Sequence, residues 1–258
     1  MVGRVMESVC LTHPRTARRN RSPAEVGRRL TGREVVNVGR HGKFLLIGLG
    51  DGQTMVAHLG MSGRFSVCAA GADRAPHTHF VAALDDGAEV RFIDPRTFGF
   101  VAVRDESEPD PAFSRLGPDA WLDAPEPPAL VRALAGRVAP LKALLLDQQI
   151  IAGLGNIYAD EALHRAGIHP LRPGGCLSQA EACRLLNATR TVLEQAIDSG
   201  GTTLGDLAYL LPDGRAGENL ARLKVYGREG EPCPSCGAPV ERTAVRARST
   251  HFCPGCQT

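Results

Sequence analysis

A chain of 258 residues has room for one large domain or two small ones with an ample core, and its 43% apolar and 22% charged residues are globular values. No apolar run reaches the roughly 18 residues needed to cross a membrane, and the opening MVGRVMESVC lacks the apolar stretch of a secretory signal, so a soluble, cytoplasmic protein is expected. The formal charge of +2 conceals segregation. Ten Arg or Lys residues face only Glu7, Glu25 and Glu34 between Arg4 and Lys43, seven acids face Arg115 alone between Asp105 and Glu126, and basic character returns between Arg215 and Arg248. That pattern suits a polyanion partner. Lysine is scarce: Lys43, Lys142 and Lys224 are the only three, which hints at a need for a compact amine at each.

The first 104 residues read as β structure. Short β-rich runs cover 33–38, 43–49, 54–59, 79–84, 88–93 and 98–103, with turns supplied by 39–42, 50–52 and the Asp85-Asp86-Gly87 hairpin signal. This spacing suggests a sandwich or barrel. From Glu106 to Pro128 the chain is acidic and Pro-rich, which reads as a domain boundary. Helical patterns follow over 129–134, 140–151, 156–166 and 178–199. Ser178 with Glu181 three residues on forms a capping box, and Gly200-Gly201 ends the last helix.

Residues 144–170, LLLDQQIIAGLGNIYADEALHRAGIHP, join two apolar runs through Gly153-Leu154-Gly155-Asn156. The glycines allow a sharp turn, and Asn156 occupies an expected N-cap with Asp160 and Glu161 in the opening turns. A helix N-terminus preceded by glycines suits an anion such as phosphate. The same residues also fit an ordinary helical hairpin. Residues 210–219 read as a mobile loop.

Cys233-Pro-Ser-Cys236 and Cys253-Pro-Gly-Cys256 are separated by sixteen residues. Each pair puts two thiolates on one tight turn, and two such turns close a tetrahedron around Zn²⁺; a disulfide reading has no oxidising compartment to support it. A site of four cysteines leaves no position for water, so one structural zinc ion is expected. The strands over 240–245 and 248–252 would form its hairpin and present Arg246, Arg248 and His251. Cys10, Cys68, Cys176 and Cys183 are scattered and expected to be buried thiols.

With that cluster in view, the sequence resembles the formamidopyrimidine-DNA glycosylase and endonuclease VIII family of DNA repair enzymes. HGKFLLIGL, HLGMSGRF, DPRTFG, the 144–170 segment, GGTTL and KVYGREGEPCPSCG…RSTHFCPGCQ follow the family pattern in order over nearly the whole chain, and DPRTFG with HLGMSG favours the formamidopyrimidine branch. The resemblance implies an α+β multidomain fold: an N-terminal β-sandwich (1–118), a helical helix–two-turns–helix domain (119–222) and a C-terminal four-cysteine zinc finger (223–258). It implies a monomer that holds damaged double-stranded DNA in a cleft, is associated with the nucleoid, and has no membrane partner.

The implied reaction is base-excision repair: oxidised purines are flipped out and removed, with associated nicking of the abasic strand. Met61, Arg96 and Phe98 match the residues that fill the void left in the duplex, where an apolar wedge and a cationic fork are suited to stacking and to bonding the orphaned base. Core packing is the ordinary reading of Met61 and Phe98 taken without the family. His77, Arg137, Lys142 and Asn156 match contacts to backbone phosphates; Arg137 is the looser match, since Val138 stands where a basic residue is usual. Lys43 matches a lysine assigned to β-elimination and Arg248 a finger arginine assigned to δ-elimination, and both also match phosphate contacts. Residues 210–219 match the segment that covers the flipped base.

One departure bears on the chemistry. The family's reaction uses an N-terminal Pro as the amine nucleophile, followed by a Glu that serves as acid and base. This sequence begins at a point roughly fifteen to twenty residues into the family pattern, without Pro-Glu or the first helix. A misassigned start codon is one explanation, preferred because the DNA-handling residues are kept downstream. The alternative is a real truncation, leaving a catalytically impaired protein that binds lesions or abasic sites; transfer of the nucleophile's role to Lys43 or Lys142 is a weaker third. A zinc-binding transcription factor is disfavoured, because no helix carries several base-reading side chains.

Overall fold

A computed structural model describes residues 1–105, 107, 111–205 and 209–258, with the side chains of Pro111 and Ala112 excepted. Glu106, Glu108 and Asp110 of the acidic stretch lie outside these. Two compact units result: residues 1–114 with 202–218, and residues 115–201 with 219–258.

The first unit holds eight strands: β1 (Val5–Leu11), β2 (Arg33–His41), β3 (Phe44–Leu49), β4 (Thr54–His58), β5 (Arg64–Ala69), β6 (Thr78–Leu84), β7 (Ala88–Ile93) and β8 (Phe100–Arg104). They pair in the order β5-β7-β6-β1-β2-β3-β4-β8, every described pairing being antiparallel. The β1–β2 seam is narrow, resting on Val5 opposite Glu34 and Met6 opposite Arg33, and β1 shifts register between Met6 and Ser8. A bulged corner of this kind lets two leaves fold face to face as a sandwich. Phe80, Leu84 and Phe92 from one leaf and Ile47, Met55 and Val101 from the other share one buried core.

Among the elements of this unit that escaped the sequence reading are β1, β5 and helix α1 (Pro23–Leu30). Helix α1 has an orderly start, with Pro23 in its first turn and the Ser22 side chain accepting from the Glu25 amide. Gly27 lets α1 lie directly on β1, since a Cβ there would stand 2.9 Å from the Val9 carbonyl oxygen.

After α2 (Pro111–Ser114), the second unit is built from α3 (Pro127–Leu134), α4 (Leu141–Leu145), α5 (Asn156–Ala166) and α6 (Gln179–Asp198), followed by the hairpin β9 (Glu241–Val245) and β10 (Arg248–Phe252). Leu130, Leu145, Ile151, Leu163 and Leu185 centre its main core. The capping box on α6 is present: Ser178 Oγ accepts from the Glu181 amide, and the Glu181 carboxylate accepts from the Ser178 amide. Arg172 adds two 2.7–2.8 Å bonds to that carboxylate.

Several expectations need correction. The helix expected over 140–151 ends at Leu145. Asp147 Oδ1 takes the Gln149 amide in a local turn, while the Gln148 side chain bonds Leu146 O, Leu154 O and the Gly153 amide. These side chains offer the backbone partners that a longer helix would have used. The N-cap of α5 is Gly155, at φ −115° and ψ 178°, with Asn156 the first helical residue. Cys10, Cys176 and Cys183 are exposed and Cys68 is half-buried, because they fall on outward-facing positions.

Candidate DNA-handling and zinc sites

Two loops of the first unit carry the expected wedge. Met61 follows β4 and is 55% exposed; Phe98 precedes β8 and is 41% exposed. Core packing is therefore not their role. The Arg96 guanidinium lies over the Phe98 ring, 4.7 Å from its centroid, as a stacked cation–aromatic pair. The two loops are fastened to each other. Gly60 (φ +66°) lies so close to the Phe98–Gly99 backbone that a Cβ would approach Gly99 N to 2.6 Å.

Beneath them Asp94, 1% exposed, accepts from Ser62 Oγ at 2.7 Å and from the Gly99 amide at 2.6 Å, while Ser62 Oγ accepts from the Arg96 amide at 3.3 Å. Arg18 closes the arrangement from outside, donating to Phe98 O at 2.7 Å and also to Gly99 O. Burial, then the neighbouring Arg19 and Arg15, holds the Arg18 guanidinium below its ordinary pKa, and Asp94 opposes this. Ser62, Asp94 and Arg18 were not singled out in the sequence. The signal available for Ser62 and Asp94 was their place inside HLGMSG and DPRTFG.

Lys43 is exposed at the β2–β3 turn, and His77 is exposed before β6 with a left-handed backbone (φ 62°). Near Lys43, His58 stacks against Phe100 and accepts the Gly60 amide on Nδ1 at 3.0 Å. Burial, then Lys43, Arg18 and Arg19, lowers His58 to about 4, so the ring is neutral at physiological pH.

In the second unit one face of α5 receives the zinc-finger segment. Asn156, Asp160 and His164, four residues apart, form a polar stripe with Glu161 beside it. Asn156 Nδ2 donates to Ser249 O at 3.0 Å, leaving its own Oδ1 buried without a partner. Asp160 Oδ2 accepts the His251 amide at 2.9 Å, and Glu161 accepts the amides of Lys224, Val225 and Tyr226 at 2.8–2.9 Å.

Lys142 is fully buried. Its Nζ lies 2.7 Å from Asp160 Oδ1 and donates to Ser249 O at 2.7 Å and Thr250 Oγ1 at 2.9 Å. Burial lowers its pKa, and Asp160 pulls it back up. Expected at a phosphate, this ammonium is committed to bonds inside the protein. His251, expected on the surface of the hairpin, faces inward against Asp160 and is a correction to the sequence reading. Asp160 and Glu161, assigned to the helix dipole from sequence, instead anchor the finger. Acids at these positions between the apolar Ile157, Ala159, Ala162 and Leu163 were the visible sign.

Arg137 is exposed after α3, beside the fully solvated Val138. Arg248 is exposed at the start of β10, next to a two-residue turn in which Arg246 (φ 46°) and Ala247 (φ 58°) both have left-handed backbones. That turn type favours glycine or asparagine, so two ordinary residues there are held under strain.

Cys233, Cys236, Cys253 and Cys256 bring their four sulfurs within 4.8 Å of one another. The 3.3 Å from Cys236 to Cys253 and 3.9 Å from Cys233 to Cys256 are too long for disulfides and bracket the roughly 3.8 Å edge of a tetrahedron with ~2.3 Å Zn–S bonds. An all-sulfur closed set of this size fits one structural Zn²⁺, which ties the two turns together. Among the described residues no other group of three or more His, Cys, Asp or Glu is placed to hold a metal, and no helix is long and apolar enough to cross a membrane.

A β-sandwich, a helical hairpin and a four-cysteine finger together define the class of zinc-finger, helix–two-turns–helix proteins. The chain belongs to the formamidopyrimidine-DNA glycosylase family: that family's N-terminal domain matches residues 1–101, its H2TH domain residues 116–207, and the zinc finger found in FPG and IleRS residues 230–258. Formamidopyrimidine-DNA glycosylase from Thermus thermophilus is 49% identical over 228 residues, covering 88% of this chain and 83% of that protein. The crystal structure of the MutM (Fpg) protein of the same organism superposes with a TM-score of 0.87 at 44% identity, covering 100% of this chain and 92% of that one. Lactococcus lactis Fpg in complex with DNA containing an abasic site gives a TM-score of 0.90 at 30% identity, covering 100% and 94%.

Proposed function

We propose that this chain is a base-excision repair DNA glycosylase with associated lyase activity, acting on oxidised purines in duplex DNA, within the cytoplasm and at the nucleoid. The carrying observation is the exposed Met61, Arg96 and Phe98, on loops joined by hydrogen bonds from Ser62 and Gly99 to Asp94, in a chain of this family. An apolar side chain exposed on a fixed loop is costly in water and finds its use between unstacked bases. In this reading Met61 and Phe98 occupy the gap left by the flipped nucleotide, and Arg96 bonds the orphaned base. His77, Arg137 and Asn156 track the backbone, where Gly155 leaves the first amides of α5 open to a phosphate. Lys43 and Arg248 assist strand cleavage after the base has left. Lys142 serves the same interface by fixing Ser249 and Thr250, the residues that follow Arg248.

The grip and the covalent chemistry are separable by experiment. Binding of the chain as written to duplex carrying an abasic site, against undamaged duplex of the same sequence, reads the first. Borohydride trapping on duplex with an oxidised guanine reads the second. The expected result is selective abasic-site binding together with a trapped covalent adduct. Equal affinity for damaged and undamaged duplex would refute the proposal.

A further inference from the structure

His164, in the last turn of α5, is buried, and its Nε2 lies 3.4 Å from Sγ of Cys233, the most enclosed zinc-ligating cysteine but one. No other side chain from outside the four-cysteine set is hydrogen-bonded to a zinc-site sulfur among the described residues. Cys233 also takes the Ser235 amide from its own turn, at 3.4 Å. A zinc ion held by four thiolates carries two net negative charges, and thiolates held away from water depend on N–H donors to spread that charge. We infer that His164 is an outer-sphere donor to the zinc site: its Nε2–H donates to the Cys233 thiolate, retaining the metal and tying it to α5.

The sequence of α5 supports this arrangement. His164 continues the stripe begun by Asn156 and Asp160, whose partners Ser249 and His251 lie on the finger's second strand. One helix face thus touches the finger at its hairpin through Asn156 and Asp160, and at its metal through His164. Outer-sphere partners of this kind typically change metal affinity about 10–100-fold when removed. The inference concerns metal retention and stands independently of the glycosylase reading.

The test uses the full zinc-loaded chain. His164→Phe keeps a flat ring and removes the donor; His164→Gln keeps an N–H. Zinc transfer to a chromophoric chelator should give an affinity about 10–100-fold lower for His164→Phe, with His164→Gln recovering most of the difference. In Co²⁺-substituted protein, the sulfur-to-metal charge-transfer band should move for His164→Phe and return towards its original position for His164→Gln. Affinity within twofold of the unsubstituted chain and an unmoved band would overturn the inference. Should His164→Phe not fold, nitrogen NMR of the unsubstituted zinc form decides: Nε2 protonated in a neutral ring supports the bond, and an unprotonated Nε2 overturns it.

Discussion

Removing Lys142 tests how the finger is held. Lys142→Met preserves the stem but deletes an ammonium 2.7 Å from Asp160, with two further bonds to Ser249 O and Thr250 Oγ1. The carboxylate is then left buried with the His251 amide, and Ser249 O keeps only Asn156. Breaking a buried pair from one side costs about 3–5 kcal/mol, most of it from the uncompensated charge. If that is the source, Asp160→Asn should cost a comparable amount, and the double variant should cost less than the two singles added by on the order of 2–3 kcal/mol. Amide hydrogen exchange within β10, at His251 above all, reads this locally, which matters because a chain of two units need not unfold in one step. The melting temperature should fall by roughly 10 °C for either single variant. Additive costs, or unchanged protection at His251, would refute the reasoning and return Lys142 to the role of an independent cation.

Two more outcomes are expected. Asp94→Ala leaves the Ser62 hydroxyl and the Gly99 amide buried without their acceptor, at about 1–3 kcal/mol each. Preference for abasic over undamaged duplex should drop on the order of tenfold as the wedge loops loosen; retained preference with an unchanged melting temperature would mean that the loops do not need this carboxylate. His58, lowered to about 4 in the fold against 6.5 unfolded, is neutral when folded and takes its proton more readily when unfolded. Its contribution is therefore complete above pH 6.5 and is lost as pH falls from 6.5 to about 4. The difference sets a ceiling of about 3 kcal/mol, nearer ~2 after allowing for the ring's partial exposure. The pH dependence of melting should flatten across that window in His58→Gln.

Motifs tied to short-range geometry were legible in the sequence. The cysteine spacing located the zinc site, the capping box located α6, and six of the eight sandwich strands were visible from their runs and turns. Apart from the early end of the helix at Leu145, which local side-chain bonds explain, much of what failed depended on partners distant in sequence. Val5 to Leu11 reads as a plain opening, and becomes a strand because β6 and β2 flank it. Lys142 reads as a phosphate contact, and its enclosure by Asp160 and the finger strand is invisible in the sequence. His251 reads as a hairpin surface residue until α5 covers it. Asp94 was visible only as part of a motif, and its work on Ser62 and Gly99 required the two loops to be set side by side.

The strained backbone positions sharpen the division between holding the fold and handling DNA. Among the described residues, four that are not glycine have left-handed backbones: His77, Thr97, Arg246 and Ala247. His77 is itself an expected phosphate contact. Thr97 separates Arg96 from Phe98, and Arg246 with Ala247 immediately precedes Arg248. A β-branched residue such as Thr97 is especially ill-suited to φ 54°, and each such position costs on the order of 1–3 kcal/mol. A sequence shaped by stability alone would place glycine or asparagine there. Thr97 is kept in place by the bond from its amide to Asp94 O, on the same residue whose carboxylate fastens Gly99 and Ser62. The strain at Thr97 thus sits in a short arch whose two ends are fixed by one buried residue, and that arch presents Arg96 and Phe98 together at the surface. In the proposed role that support matters, since a loop free to fold back would bury Phe98 against the protein instead of offering it to the duplex.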